Sequence, residues 1–337
     1  MRPLHIELIA PSSVVPQIEL GLGLERLREH GFDFKLHPQC KKEFRFFAGT
    51  DAERAGAFLE AAYNPKSNVL WCVRGGYGAA RLLPILEAEF KKRGKPPVKL
   101  LVGFSDATAL IEFVQRRWGW SVLHAPMPGL RKFALLGEPE WSSLVSWIRG
   151  EVPSQPWGVR TMKLKWLTPR PKADLEGLLV GGNLAVFSTL IGTPYLPKTR
   201  GKIVFFEDTD EPLYRLDRIV TQLRLSKVLE GARAIVLGNF SNCSDPVSMV
   251  LAKAPVRNWQ RMVTAPKPSE LKPLREKLDP KSTIFKIFSE FGRDLGVPVA
   301  QGLPVGHGPE KFPLPMGAHY RLSRLGVFEF KKWEWIS

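Results

Sequence analysis

Hydrophobic positions in the first 150 residues alternate between short unbroken runs and longer stretches with helical spacing. "HIELIA", "NVLWCV" and "VKLLVGF" are brief and mostly apolar, as strands are, and "FDFKLHP" reads as a further short strand. Between them lie "IELGLGLERLREHGF", "TDAERAGAFLEAAYN", "AARLLPILEAEFKKRG" and "SDATALIEFVQRRWG", whose apolar residues recur every three or four positions. Gly31 falls where a helix C-terminus needs it, and Thr50 with Asp51 gives an N-cap signal. Strands that alternate with helices predict βαβ units and a parallel, flavodoxin/Rossmann-like sheet. In such sheets sites collect beyond the carboxyl ends of the strands, and both "RGGYG" (74–78) and "FSD" (104–106) fall there.

The pattern breaks over 151–172, where Pro, Lys and Arg predominate and a linker is expected. "LEGLLVGGNLAVFSTL", "GKIVFFEDTDEP", "YRLDRIVTQLRLSKVL" and "ARAIVLGNF" then resume the strand and helix alternation. The expected organisation is an N-terminal α/β domain over 1–150 and a second, smaller α/β domain over 173–337. A basic, Pro-containing stretch at about 251–282 reads as an exposed insertion.

A formal net charge of +16 invites an anionic partner. Yet Lys and Arg are spread along the chain and no aromatic RNA-binding signature occurs, so nucleic acid is not the expected ligand. The three cysteines, Cys40, Cys72 and Cys243, have neither zinc-site nor disulfide-framework spacing. No apolar run approaches the ~20 residues of a membrane helix. Glu7 interrupts the N-terminal apolar segment, and no signal peptide is read there. A soluble, reduced, cytoplasmic protein without a resident metal or cofactor is expected.

The segment "LVGFSDATAL" raises the main chemical question. Ser105 ends an apolar strand and opens a helix, so it suits a helix N-cap or a nucleophile elbow. Gly103-Phe104-Ser105-Asp106-Ala107 approximates G-x-S-x-G with a small alanine in the last place. A serine nucleophile needs a base. His307, in the Gly- and Pro-rich run "GLPVGHGPEKFPLPMG", and His124, after a short strand, are the candidates; His5, His30 and His37 read as structural or solvated. Glu207 and Asp208 follow an apolar strand, where either could orient an imidazole or cap the next turn. Gly75 and Gly76 allow close backbone approach and, with the N–H of Asp106, suit an oxyanion hole. Arg74 and Arg81 are carboxylate anchors or surface charges. The "RGGYG" turn lacks the third glycine of a dinucleotide fingerprint and the Lys-Ser/Thr of a P-loop.

Taken together, "FAGTDAERAGAFLEAAYNPKSNVLWCVRGGYGAARLLP", "LVGFSDATAL", "GGNLAVFSTLIGTPYLP", "FFEDTDEPLYRLDRIVTQLRL" and "LPVGHGPEKFPLPMGA" resemble the LD-carboxypeptidase family, in family order across nearly the whole chain. That family includes muramoyltetrapeptide carboxypeptidases and microcin C self-immunity proteins. The resemblance implies a serine peptidase with Ser105 as nucleophile, His307 as base and Glu207 as its orienter. It also implies an oxyanion hole at the "RGG" turn, a murein peptide substrate, homodimers in many members, and cytoplasmic recycling of cell-wall peptides. Glu310 and Lys311 stand where members often carry a polar residue such as asparagine, and the basic stretch lengthens the interval from Glu207 to His307. Substrate preference is therefore less defined than the triad. Cleavage of a peptide–nucleotide conjugate, or a non-catalytic murein- or anion-binding role, are the other readings.

Overall fold

The computed structural model describes residues 3–154, 160–245 and 280–336. Two sheets, each flanked by helices, make up the fold. The first sheet contains β1 (Ile6–Ile9), β2 (Phe34–Leu36), β3 (Val69–Cys72), β4 (Leu100–Gly103) and β5 (Ser121–His124), all parallel, in the order β5-β4-β3-β1-β2. Every residue of β1, β3, β4 and β5 is buried, which explains why these strands are apolar apart from Glu7 in β1 and Ser121 and His124 in β5.

The second sheet has β6 (Thr161–Lys163), β7 (Lys165–Trp166), β8 (Leu175–Asn183), β9 (Ile203–Thr209), β10 (Ala234–Ser241), β11 (Val299–Gln301), β13 (His319–Leu322) and β14 (Val327–Lys332). Strands β8 to β11 run parallel at its centre, while β13, β14, β6 and β7 are antiparallel additions. Two of these additions, β6 and β7, lie in the 151–172 segment. There the chain supplies edge strands that its Pro and Lys content masks.

One late strand crosses to the first sheet. β12 (Leu314–Met316) pairs antiparallel with β5, with Leu314 opposite His124. This return pins the segment that carries His307 against the sheet that carries Ser105. The basic stretch at 251–282 lies outside the described residues, apart from 280–282, which open the helix Pro280–Leu295. Its apolar side, with Ile284, Phe288 and Phe291 buried, packs in the core of the second sheet. Among the described residues no helix is long and apolar enough to cross a membrane.

The helices begin and end largely where their local chemistry dictates. Thr50 and Glu53 form a reciprocal capping box at the start of Asp51–Tyr63. The helix after Ser105 differs from expectation. A 3-10 turn, Ser105–Ala107, leads into a six-residue α-helix, Thr108–Phe113, and then a π-turn, Val114–Trp118.

Candidate active site

Ser105 follows β4 at a sharp turn. Its φ is +61°, in the left-handed region that side chains other than glycine seldom adopt. The N-cap position of the 3-10 turn is Phe104, which cannot cap, and among the described residues the Ser105 hydroxyl makes no hydrogen bond. The residue therefore has the backbone geometry of a nucleophile elbow, held in strain, rather than that of a simple helix cap. Ser105 lines a cavity of about 450 Å³ together with Gly75, Gly76, Phe104 and His307.

The glycine turn faces the serine closely. A Cβ added to Gly75 would lie 3.1 Å from Ser105 Cβ and 3.2 Å from its Oγ. At Gly76, φ is +101°, and an added Cβ would lie 2.3 Å from Ser13 Oγ. That hydroxyl accepts the N–H of Tyr77, and Ser13 N–H donates to the Gly75 carbonyl. The turn is thus fastened to the "PSS" segment after β1.

The Asp106 side chain does not line the cavity. It turns inward, is 3% exposed, and accepts the Ala79 N–H at 2.8 Å. Burial raises its pKa, while the bond from the Ala79 N–H and the Arg54 charge oppose the rise. Buried Arg54 donates to the carbonyls of Pro11 and Gly78 and pairs with Asp51. Asp106 and Arg54 therefore tie the glycine turn to the elbow. The sequence reading credited Asp106 with its backbone N–H alone and passed over Arg54. The only sequence signal for either was a charge beside small residues.

Glu207 lies in β9, paired across the sheet with Asn183 at the end of β8. It is fully buried, and its Oε2 accepts His307 Nδ1 at 2.7 Å and the His307 N–H at 3.2 Å. Burial favours the neutral acid, but the His307 charge and hydrogen bonds outweigh it and hold the carboxyl below its ordinary value. His307 responds in the opposite sense. Burial depresses its pKa, yet the contact with Glu207 outweighs this and raises it. Gly306 makes the close approach possible. Its φ is +105°, and an added Cβ would lie 2.4 Å from Glu207 Oε2.

The neighbouring candidates have other places. His124 is buried at the end of β5, with its Nε2 3.9 Å from Glu207 Oε1 and without a hydrogen-bond partner among the described residues. Burial lowers its pKa to about 4. It is therefore a neutral ring beside the site, edge-on to Phe104, which also packs against His307. Asp208 accepts from Asn183 Nδ2 and from the N–H groups of Ala185 and Thr209. Burial, then the Glu207 charge, push it up to about 7. It fixes the helix Leu184–Thr189 and does not meet the imidazole.

Arg81 is committed to Asp51 through a bidentate pair, whereas Arg74 lines the cavity. Three further cations, Arg131, Lys132 and Lys311, surround the cavity, with Asp210 the only acidic lining residue among the described residues. Lys311 stood out in the sequence only as a departure from the family pattern, and Arg131 and Lys132 lie in a segment with no local motif. His30 packs on Trp141 and His37 meets Glu60 at the surface, away from the cavity. Among the described residues no hydrogen bond joins Ser105 to His307. Such bonds in unliganded sites commonly form only when substrate closes the geometry.

The arrangement is thus a strained serine, a buried carboxylate–imidazole pair and a glycine turn around one cationic cavity. The chain matches the LD-carboxypeptidase N-terminal domain over residues 6–125 and the LD-carboxypeptidase C-terminal domain over 176–322. It is 29% identical to the murein tetrapeptide carboxypeptidase of Pseudomonas aeruginosa, over 93% of this chain and 91% of that protein. The crystal structure of muramoyltetrapeptide carboxypeptidase from Oxalobacter formigenes superposes with a TM-score of 0.70 at 28% identity, covering 96% of this chain and 97% of that one. The microcin C7 self-immunity protein MccF of Escherichia coli is 26% identical over 68% of this chain and 72% of its own. A structure of MccF with glutamyl sulfamoyl guanosine shares the fold, with a TM-score of 0.72 at 20% identity over 98% of this chain and 96% of that one.

Proposed function

From the premise that this chain belongs to the LD-carboxypeptidase family, we propose that it is a serine LD-carboxypeptidase. Its reaction would be hydrolysis of the bond between the L-centre of meso-diaminopimelate and the terminal D-alanine of a murein tetrapeptide. The observation that carries this reading is the pairing of a strained Ser105 with the Glu207–His307 couple around one cavity. The setting would be cytoplasmic recycling of cell-wall peptides.

His307 Nδ1 is held by Glu207, so Nε2 is the nitrogen left to accept the Ser105 proton. Ser105 Oγ attacks the carbonyl of the L,D bond and a tetrahedral oxyanion forms. The N–H of Asp106 and those of the Gly75–Gly76 turn are the donors offered to that oxygen. The imidazolium, stabilised by Glu207, returns its proton to the leaving D-alanine amine. Water activated by the neutral imidazole then releases the acyl group from Ser105. Arg74 and the lysines supply positive potential for a peptide carrying several carboxylates.

A second reading, cleavage of a peptide–nucleotide conjugate, has one feature in its favour. Phe46 and Tyr77, 54% and 52% exposed, form an aromatic pair beside the Gly76 turn, where a base could stack. A substrate panel tests both. The protein is incubated with L-Ala-γ-D-Glu-meso-diaminopimelate-D-Ala and with an aminoacyl sulfamoyl nucleoside, and products are followed by mass. Loss of one alanine from the tetrapeptide is expected. Turnover of the nucleoside conjugate alone would overturn the murein assignment.

A further inference from the structure

Two lysines stand where the cavity beside Ser105 meets a second one. The second cavity, of about 390 Å³, is lined by Ser241, Asn242 and the Gly308–Pro309 turn. His307, Lys132 and Lys311 line both cavities. Lys311 Nζ donates to the carbonyls of Gly308 and Pro309. An ammonium has three N–H bonds. Two of them fasten this one to the His307 loop, and one remains for a ligand. Lys132, exposed on the facing segment, has no salt-bridge partner among the described residues.

The two ammonium groups feel each other. Burial and then the charge of Lys132 lower the pKa of Lys311, with Glu140 opposing. Lys132 also opposes protonation of His307. Like charges gathered around a half-enclosed space cost free energy, and an anion between them relieves that cost.

The chemistry says which anion. The imidazole that accepts the Ser105 proton delivers a proton to the leaving amine, so the leaving residue lies on the His307 side of the serine. In an α-amino acid the carboxylate carbon is two bonds from that nitrogen, about 2.5 Å away. A free terminal carboxylate therefore falls beside His307, at the junction of the two cavities.

We propose that Lys132 and Lys311 together bind the α-carboxylate of the leaving C-terminal residue and so confine the enzyme to exopeptidase action. This assignment rests on the serine-peptidase reading given above. A substrate whose terminus is an amide, or is extended by another residue, presents no charge there and leaves the two lysines unpaired.

The test compares one tetrapeptide as its C-terminal acid and as its C-terminal amide. The full-length protein, Lys132→Met, Lys311→Met and the double variant are assayed for alanine or alaninamide release. Methionine keeps the apolar stem and removes the charge. Each single variant is expected to raise KM for the acid by about tenfold to hundredfold, the worth of one charge-assisted hydrogen bond. Whatever the variants lose on the amide through the His307 loop or the potential of the cavity, they should lose more on the acid, so the preference for the acid collapses. Lys311→Arg, which keeps the charge, should retain the preference. An unchanged acid-to-amide ratio in both methionine variants, or an equal loss on both substrates, would overturn the lysine assignment while leaving the peptidase reading intact. Failure of the folded, unaltered protein to cleave either substrate would overturn the peptidase reading, and the assignment with it.

Discussion

Gly306 offers a perturbation that reaches the chemistry without touching a reacting group. Its φ of +105° disfavours any side chain, and an added Cβ would lie 2.4 Å from Glu207 Oε2 and 2.8 Å from Glu207 Cβ and Cγ. An ordinary contact begins near 3.4 Å, so Gly306→Ala must move the carboxylate or the loop by about 1 Å. That carboxylate holds His307 through two hydrogen bonds to the same oxygen. A displacement of about 1 Å in a positioning group costs on the order of 10²-fold in rate. The backbone strain adds a stability cost of about 1–3 kcal/mol. Gly302→Ala separates the two effects. Its φ is +114°, but an added Cβ meets only Leu164 Cδ2 at 4.0 Å. It should lower the melting temperature comparably and keep kcat/KM for the tetrapeptide. The assay is alanine release together with thermal unfolding of both variants. A Gly306→Ala enzyme with kcat/KM within about threefold of Gly302→Ala would refute the claim that Glu207 positions the base.

Other consequences are equally direct. Ser105→Gly should abolish turnover yet raise the melting temperature, because glycine adopts a φ of +61° without strain; an unchanged or lower midpoint in thermal unfolding would count against a strained elbow. The acid limb of kcat/KM should lie above the ordinary imidazole value, because the base acts when neutral and Glu207 raises its pKa; in Glu207→Gln the limb should move to lower pH and the plateau should fall by about 10⁴-fold. Glu112, fully buried against the Gly181 N–H, has its pKa pushed up to about 7 by burial. Above pH ~4.3 the unfolded chain loses this proton while the native state keeps it, so stability falls as pH rises toward 7. Glu112→Gln should flatten that slope in denaturant titrations between those pH values.

The first sheet was legible because its central strands are short, largely apolar and covered on both faces, and the helices between them carry regular periodicity. Ser105 could be singled out for the same reason, since a serine at a strand's carboxyl end is a local pattern. What local pattern could not supply was the partner arrangement. The choice between His307 and His124 depends on β12 crossing to pair with β5, a contact far apart in sequence. The choice between Glu207 and Asp208 depends on which side of β9 faces His307, in a strand buried on both faces and therefore without alternation. On residues alone the Gly- and Pro-rich setting favoured His307 while the choice of carboxylate stayed open, and the family resemblance pointed to Glu207 and His307. Asp106 was read for its backbone, whereas its side chain anchors Ala79, a role that appears only when the two turns are brought together. The edge strands β6 and β7 were hidden because they are two and three residues long, in a segment rich in Lys and Pro.

The account stands most directly on one comparison. The unaltered protein, Ser105→Ala and His307→Ala are each incubated with L-Ala-γ-D-Glu-meso-diaminopimelate-D-Ala, and release of D-alanine is timed. The account predicts release by the unaltered protein and loss of at least about 10³-fold in both variants, each folded by circular dichroism. Undiminished release by folded Ser105→Ala would contradict it, because the strained serine would then be an incidental turn residue and the hydrolysis would proceed from elsewhere.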